Sequence, residues 1–105
     1  MLIVETPTFT RRVQTTLTDD EYRELQFLLA RFPDAGVLIP GSHGLRKLRW
    51  SGSGKGKRGG TRIIYYWARS KDWILMLLLF KKNERSDLTK DQLKKLGATV
   101  SKELL

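Results

Sequence analysis

The hydrophobic and polar positions at the beginning of the sequence predict a strand followed by a helix. Residues 2–4 form a short apolar run with two β-branched members, which is typical of a strand. Thr6 and Pro7 then match an N-cap followed by proline at the first helical position. Apolar residues recur at every fourth position after that, at Phe9, Val13 and Leu17. This spacing places them on one face of a short helix.

A second helix is predicted to begin after Thr18. Residues 18–21 form a capping box whose acidic members lie at the positive end of the helix dipole. The apolar stripe of this helix consists of Tyr22, Leu25, Leu28, Leu29 and Phe32. Because proline disfavours helical geometry in the residue before it, we expect the helix to end before Pro33.

The middle of the chain alternates between glycine-containing loops and strand-like segments. The predicted loops occupy residues 34–44 and 51–60, and the predicted strands occupy residues 45–50, 61–67 and 73–80. In the strand over 45–50, Lys47 and Arg49 share one face, while Arg46 points to the other. The strand over 73–80 is apolar on both faces, so we expect it to be covered on both sides.

The end of the sequence completes an α+β pattern. A turn over residues 81–88 precedes a capping box at 89–92, and apolar positions of a last helix follow at Leu93, Leu96, Val100 and Leu104. The predicted order is therefore β-α-α-β-β-β-α in a single domain over residues 1–105. Three consecutive strands with short polar links favour an antiparallel meander.

Positive charge is concentrated in the middle third of the chain. The protein has 20 Lys and Arg against 11 Asp and Glu, a net charge of +9. No acidic residue lies between residues 35 and 71, whereas nine basic residues do, so the rest of the chain is neutral. A segregated excess of this kind indicates a surface that binds a polyanion such as RNA.

Several classes of site are disfavoured by what the sequence contains. Cysteine is absent and His43 is the single histidine, so neither a metal site nor a serine-histidine triad is expected. Residues 54–59 match G-x-G-x-x-G, but a strand rather than a helix follows them, which argues against a dinucleotide site. The longest uncharged apolar stretch has eight residues, too few to span a bilayer. We therefore expect a cytoplasmic protein without cofactors or membrane contact.

Two basic segments are the candidate binding site. Arg62 opens the strand over 61–67 directly beside the glycine-rich loop, where a rigid sheet would present its guanidinium to phosphate oxygens. The alternative is a strand-end arginine that reaches water. In a meander, residues 81–85 would come to the Arg62 end of the sheet; the alternative is an ordinary charged turn. We expect most strand aromatics to be core residues rather than base-stacking platforms.

Five segments in order resemble the RelE/ParE toxin superfamily, and most closely its HigB-type branch. They are GLRKLRW, the glycine-basic loop, GGTRIIYYW, the apolar strand and FKKNERSDLT, over residues 44–89. The resemblance implies a small curved antiparallel sheet with two N-terminal helices and one C-terminal helix. It also implies a metal-independent, ribosome-dependent endoribonuclease that cleaves mRNA in the 30S A site by attack of a 2′-hydroxyl. The implied partner is a DNA-binding, HigA-type antitoxin.

The resemblance also assigns residues. It implies that Arg62 is catalytic, with Lys57, Arg58 and Lys82 as candidate general acids or bases. The residues expected to bind RNA or the ribosome are Arg46, Lys47, Arg49, Lys55, Lys81, Asn83 and Arg85. Asn83 stands where some relatives have a second arginine, and Thr89 where they have a tyrosine. Two other functions remain open at this stage: a ParE-like inhibitor of a protein target, and a non-catalytic RNA-binding module.

Overall fold

A five-stranded sheet with helices on both faces forms the fold, in a computed structural model that describes residues 1–50, 60–84 and 88–104. The elements are β1 (Leu2–Glu5), α1 (Pro7–Thr16), α2 (Asp19–Arg31), β2 (Val37–Leu38), β3 (Leu45–Trp50), β4 (Thr61–Ala68), a 3-10 turn (Arg69–Lys71), β5 (Trp73–Lys81) and α3 (Lys90–Leu104). The predicted α+β class is confirmed. Within the described ranges, no helix is long and apolar enough to cross a membrane.

The sheet has the strand order β1-β5-β4-β3-β2. From β2 to β5 each strand is antiparallel to the next, as the predicted meander requires. β1, however, pairs in parallel with β5, in the register Leu2↔Trp73. The antiparallel sheet implied by the resemblance is therefore found from β2 to β5, and the parallel β1 makes the whole sheet mixed. The reason is topological: α1 and α2 carry the chain away from β1, and the meander then returns β5 beside it in the same direction.

The two N-terminal helices form where their capping residues predict. The Thr6 hydroxyl accepts a hydrogen bond from the Phe9 N–H at 3.1 Å, and Thr18 and Glu21 form the complete capping box of α2. α2 ends with Phe32 as its C-cap, directly before the proline. The prediction for the apolar stripe was wrong at Phe32, which is 51% exposed, because this residue lies beyond the last helical turn.

The predicted loop over residues 34–44 contains the short edge strand β2, which the sequence did not predict. Val37 pairs with Lys47 and Leu38 with Arg46. The segment before β2 is fastened by Tyr65 of β4, whose hydroxyl accepts a hydrogen bond from the Gly36 N–H and donates one to the Pro33 carbonyl, both at 2.8 Å. A Cβ at Gly36 would lie 2.8 Å from the Tyr65 ring, so glycine allows this close approach.

Two hydrophobic clusters cover the two faces of the sheet. On one face, residues of α1 and α2 pack against Leu48, Ile63 and Met76. On the other, Leu93, Leu96 and Val100 of α3 pack with Leu45, Ile64, Leu75, Leu77 and Phe80. β5 contributes buried residues to both clusters, which confirms the prediction of a central strand covered on both sides. The α3 face also carries the charged residues of the site.

Candidate functional site

Three cations of β3 and β4 share the α3 face of the sheet. Successive strand residues point to opposite faces, and Leu45 of β3 and Ile64 of β4 both belong to the α3 cluster. Lys47 and Arg49 therefore lie on that face with Arg62. The register places Arg49 directly opposite Arg62 and Lys47 opposite Ile64. Directly opposite residues have Cβ atoms about 4.5–5.5 Å apart, so the two arginine side chains leave the sheet side by side.

Arg62 is buried, with 8% of its surface exposed, whereas Arg49 on the neighbouring strand is exposed. The alternative of a strand-end arginine that extends into water is therefore wrong. On β5, Phe80 pairs with Arg62, so Arg62 lies between Phe80 on one neighbouring strand and Arg49 on the other. Burial between two neighbouring strands limits the side-chain conformations open to Arg62.

The turn after β5 lies at the Arg62 end of the sheet, as the meander predicts. Lys81 pairs with Thr61, and the Lys82 N–H donates a hydrogen bond to the Gly60 carbonyl at 2.7 Å. Gly60 precedes Arg62 by two residues. Lys82 is exposed, and so are Lys81 and Asn83 on either side of it. Two separate basic segments of the sequence therefore meet at one end of the sheet.

The residue that holds this turn was not predicted from the sequence. Arg12 of α1 donates from Nε to the Leu79 carbonyl at 2.6 Å and from Nη2 to the two Glu84 carboxylate oxygens at 2.5 and 2.6 Å. The Lys81 N–H also donates to Glu84 Oε1, at 2.8 Å. That backbone hydrogen bond first, and Arg12 second, lower the pKa of Glu84. Arg12 and Glu84 are 72 positions apart, so no local pattern connects them.

Not all of the remaining predicted site residues lie at the Arg62 end of the sheet. Arg46 lies on the opposite face of β3, where its guanidinium donates to the Gly36 carbonyl at 2.8 Å. It belongs to the fastening of the loop before β2 and not to the group around Arg62. Four other residues of the predicted set fall outside the described ranges: Lys55, Lys57, Arg58 and Arg85.

A groove of about 810 Å³ lies on the same face, between α3 and the turn before β3. Tyr66 and Leu45 line it from the sheet, and Lys90 and Lys94 line it from α3. His43 lines its edge in a left-handed conformation with φ of 59°. Among the strand aromatics, Tyr65 is fully buried, while Tyr66, Trp67 and Trp73 are half-buried and pack against the two clusters. This packing confirms their prediction as core residues.

No family model matches the sequence. Among solved structures, the chain is similar to the isolated RelE toxin of E. coli, with a TM-score of 0.58 over 99% of this chain and 98% of that one. This is the RelE fold. At 11% sequence identity the likeness extends to the arrangement of helices and strands. The RelE-like fold implied by the sequence motifs is thus confirmed, with β1 completing the sheet in parallel.

Proposed function

We propose that this protein is a toxin of a type II toxin-antitoxin system that cleaves mRNA in the ribosomal A site. The observation that supports it most is the meeting of Arg62, Arg49 and Lys47 with the turn over 81–84 at one end of a RelE-like sheet. HigB-type specificity is part of the proposal and rests on the sequence motifs. The proposal also assigns the protein to the cytoplasm, where translating ribosomes carry its mRNA substrate.

The register of the two arginines favours an anionic ligand. Like charges directly opposite each other on adjacent strands destabilise a sheet. The pairing of Arg49 with Arg62 therefore has a cost, and a phosphate between them would offset it by accepting charge-assisted hydrogen bonds from both.

The reaction needs stabilisation of charge and two proton transfers. The 2′-oxygen of the mRNA forms a bond to the adjacent phosphorus, and the bond from phosphorus to the 5′-oxygen breaks, which leaves a 2′,3′-cyclic phosphate and a free 5′-hydroxyl. We assign Arg62 to the developing negative charge on the phosphoryl oxygens. Lys57, Arg58 and Lys82 are the candidates for taking the 2′-proton and supplying one to the leaving oxygen. The ribosome supplies the alignment of the mRNA.

Primer extension on mRNA, after brief expression and with purified ribosomes, tests this function. The wild-type protein is expected to give breaks at defined positions within codons. Arg62→Ala should lower the cleavage rate a hundredfold or more, because one such charge-stabilising contact contributes about 3 kcal/mol to the transition state. Arg62→Lys should also be slow, since lysine loses the two-pronged donor geometry.

Arg69→Ala is the matched control for this test. Arg69 is an exposed arginine of the same β4–β5 hairpin, but it lies at the opposite end of the sheet, where it stacks on Trp67. Its removal should leave cleavage unchanged. Because Arg62 is buried, the melting temperature of each variant must be measured beside its activity. Intact mRNA in cells arrested by the wild-type protein would refute the nuclease function and favour inhibition of a protein target.

A further inference from the structure

A contact between α1 and the turn after β5 connects the helix on one face of the sheet with the end of the sheet near Arg62. α1 packs on one face, whereas Arg49 and Arg62 lie on the other, and the turn over 81–84 stands at the end between them. Arg12 reaches this turn from α1 with one guanidinium that contacts both a backbone carbonyl and a carboxylate. We call this set, Arg12, Glu84 and the Lys81 N–H, the clasp.

We propose that Arg12 and Glu84 are positioning residues, which hold Lys82 and Asn83 at a fixed place beside Arg62. The inference rests on the proposed nuclease function, and it adds two residues that neither the sequence motifs nor the fold assigns. Neither residue needs to touch the RNA. They act through the backbone of the turn that carries the proposed acid-base and binding side chains.

The geometry of the clasp is suited to fixing a position. An isolated, exposed ion pair contributes little to stability, and the side chains of Arg12 and Glu84 are 35% and 40% exposed. In this case, however, one nitrogen contacts both carboxylate oxygens, and each partner also bonds to backbone: Arg12 to the Leu79 carbonyl and Glu84 to the Lys81 N–H. These hydrogen bonds point in different directions and so fix the position of the turn, even if they contribute little to the free energy of unfolding.

The clasp is connected to the site through a short path of hydrogen bonds. The clasp holds the Lys81 N–H. The Lys82 N–H then donates to the carbonyl of Gly60, which lies two residues before Arg62. Turns at strand ends open more easily than the strands themselves. Without the clasp, the turn over 81–84 would sample a wider range of positions relative to Arg62. A displacement of about 1 Å at a reacting group can cost a hundredfold in rate.

The test compares Arg12→Met with Arg11→Met, a change of the same type at the preceding position of the same helix. Arg11 is exposed, and among the described residues its guanidinium makes a single long hydrogen bond, 3.5 Å, to Thr8. Glu84→Gln is likewise compared with Glu24→Gln on the exposed side of α2. For each variant we would measure amide exchange at Lys81 and Lys82, the melting temperature, and single-turnover cleavage of ribosome-bound mRNA at saturating protein.

We expect Arg12→Met and Glu84→Gln to speed amide exchange at Lys81 and Lys82, and to slow cleavage about ten- to hundredfold with ribosome affinity changed less than about threefold. The controls should match the wild type in all three measurements. The double variant should be no slower than the slower single one, because the two residues act as one unit. In a Lys82→Ala background, Arg12→Met should slow cleavage by less than about threefold.

The outcomes separate this inference from the function on which it rests. Cleavage by Arg12→Met at the wild-type rate would overturn the positioning role and leave the nuclease function standing. An equal loss of activity in Arg11→Met, or a loss explained by unfolding, would also overturn it. If the wild-type protein leaves ribosome-bound mRNA intact, the nuclease function fails first and the positioning role fails with it, even where the amide-exchange differences are found.

Discussion

Removal of the Tyr65 hydroxyl is expected to destabilise the protein far more than its small volume suggests. The phenol oxygen accepts from the buried Gly36 N–H and donates to the Pro33 carbonyl, each at 2.8 Å. Tyr65→Phe keeps the ring, so no cavity opens in the cluster that α1 and α2 cover. It does leave a buried N–H and a partly buried carbonyl without their partner. An unsatisfied group costs about 1–3 kcal/mol, and the partly buried carbonyl lies at the low end of that range, so we expect a loss of about 2–4 kcal/mol.

Such a loss is a large share of the total, since domains of this size are stable by about 5–15 kcal/mol. It corresponds to a fall in melting temperature of roughly 10–30 °C. Urea unfolding followed by tryptophan fluorescence would measure it, with an unchanged slope against urea as the check that unfolding remains two-state. Exchange of the Gly36 amide should accelerate in parallel, because its acceptor is gone.

Tyr66→Phe is the internal control. Tyr66 is the next residue of β4, half-buried on the other face, and among the described residues its hydroxyl makes no hydrogen bond. Its removal should change stability by about 0.5 kcal/mol or less. If Tyr65→Phe lowers the free energy of unfolding no more than Tyr66→Phe does, the Tyr65 hydroxyl does not fasten the segment before β2.

Three further predictions concern the charged loop, pH and the antitoxin. Replacing Lys55, Lys57 and Arg58 together by alanine should weaken ribosome binding and make it less dependent on salt. The slope of log K against log salt concentration should fall by about 0.7–0.9 for each phosphate that is no longer neutralised, as filter binding at several salt concentrations would show. Burial, and then the hydrogen bond to Glu5, raises the pKa of Tyr22. Stability contributed by the neutral phenol is therefore complete below about pH 10 and is lost as pH rises toward the folded-state pKa; urea titrations of Tyr22→Phe above that pH should show a shallower loss. We expect the antitoxin to cover the basic segments, so hydrogen exchange with and without it should show protection there. Protection confined to α1 and α2 would show that the antitoxin does not cover the basic segments.

Local patterns predicted the helices and the meander because their causes are local. The cap at Thr6 and the capping box at Thr18 lie within four residues of what they stabilise, and alternation along β3 separates Arg46 from its two basic neighbours. β2 escaped prediction because it exists through pairing with β3 and through the Tyr65 hydroxyl 29 residues away. A two-residue strand has no pattern of its own.

The site was predictable where strand register alone brings residues together. The meander places the end of β5 beside the beginning of β4, and this was enough to bring Lys82 to the Arg62 end of the sheet. The burial of Arg62 is a property of the assembled sheet, which no single strand encodes. The contact of Arg12 with Glu84 depends on how α1 lies across the sheet, so it required the assembled fold.

The parallel pairing of β1 with β5 sets the order of events during synthesis. The Thr6 hydroxyl donates to the Leu77 carbonyl across 71 positions of sequence, and α1 closes its hydrophobic face against the same strand. The strand that α1 needs is therefore translated long after α1 itself. Contacts of such long range form late and slow the folding of a domain. Under the proposed function, the protein would therefore acquire the structure that acts on mRNA only after β5 has been synthesised.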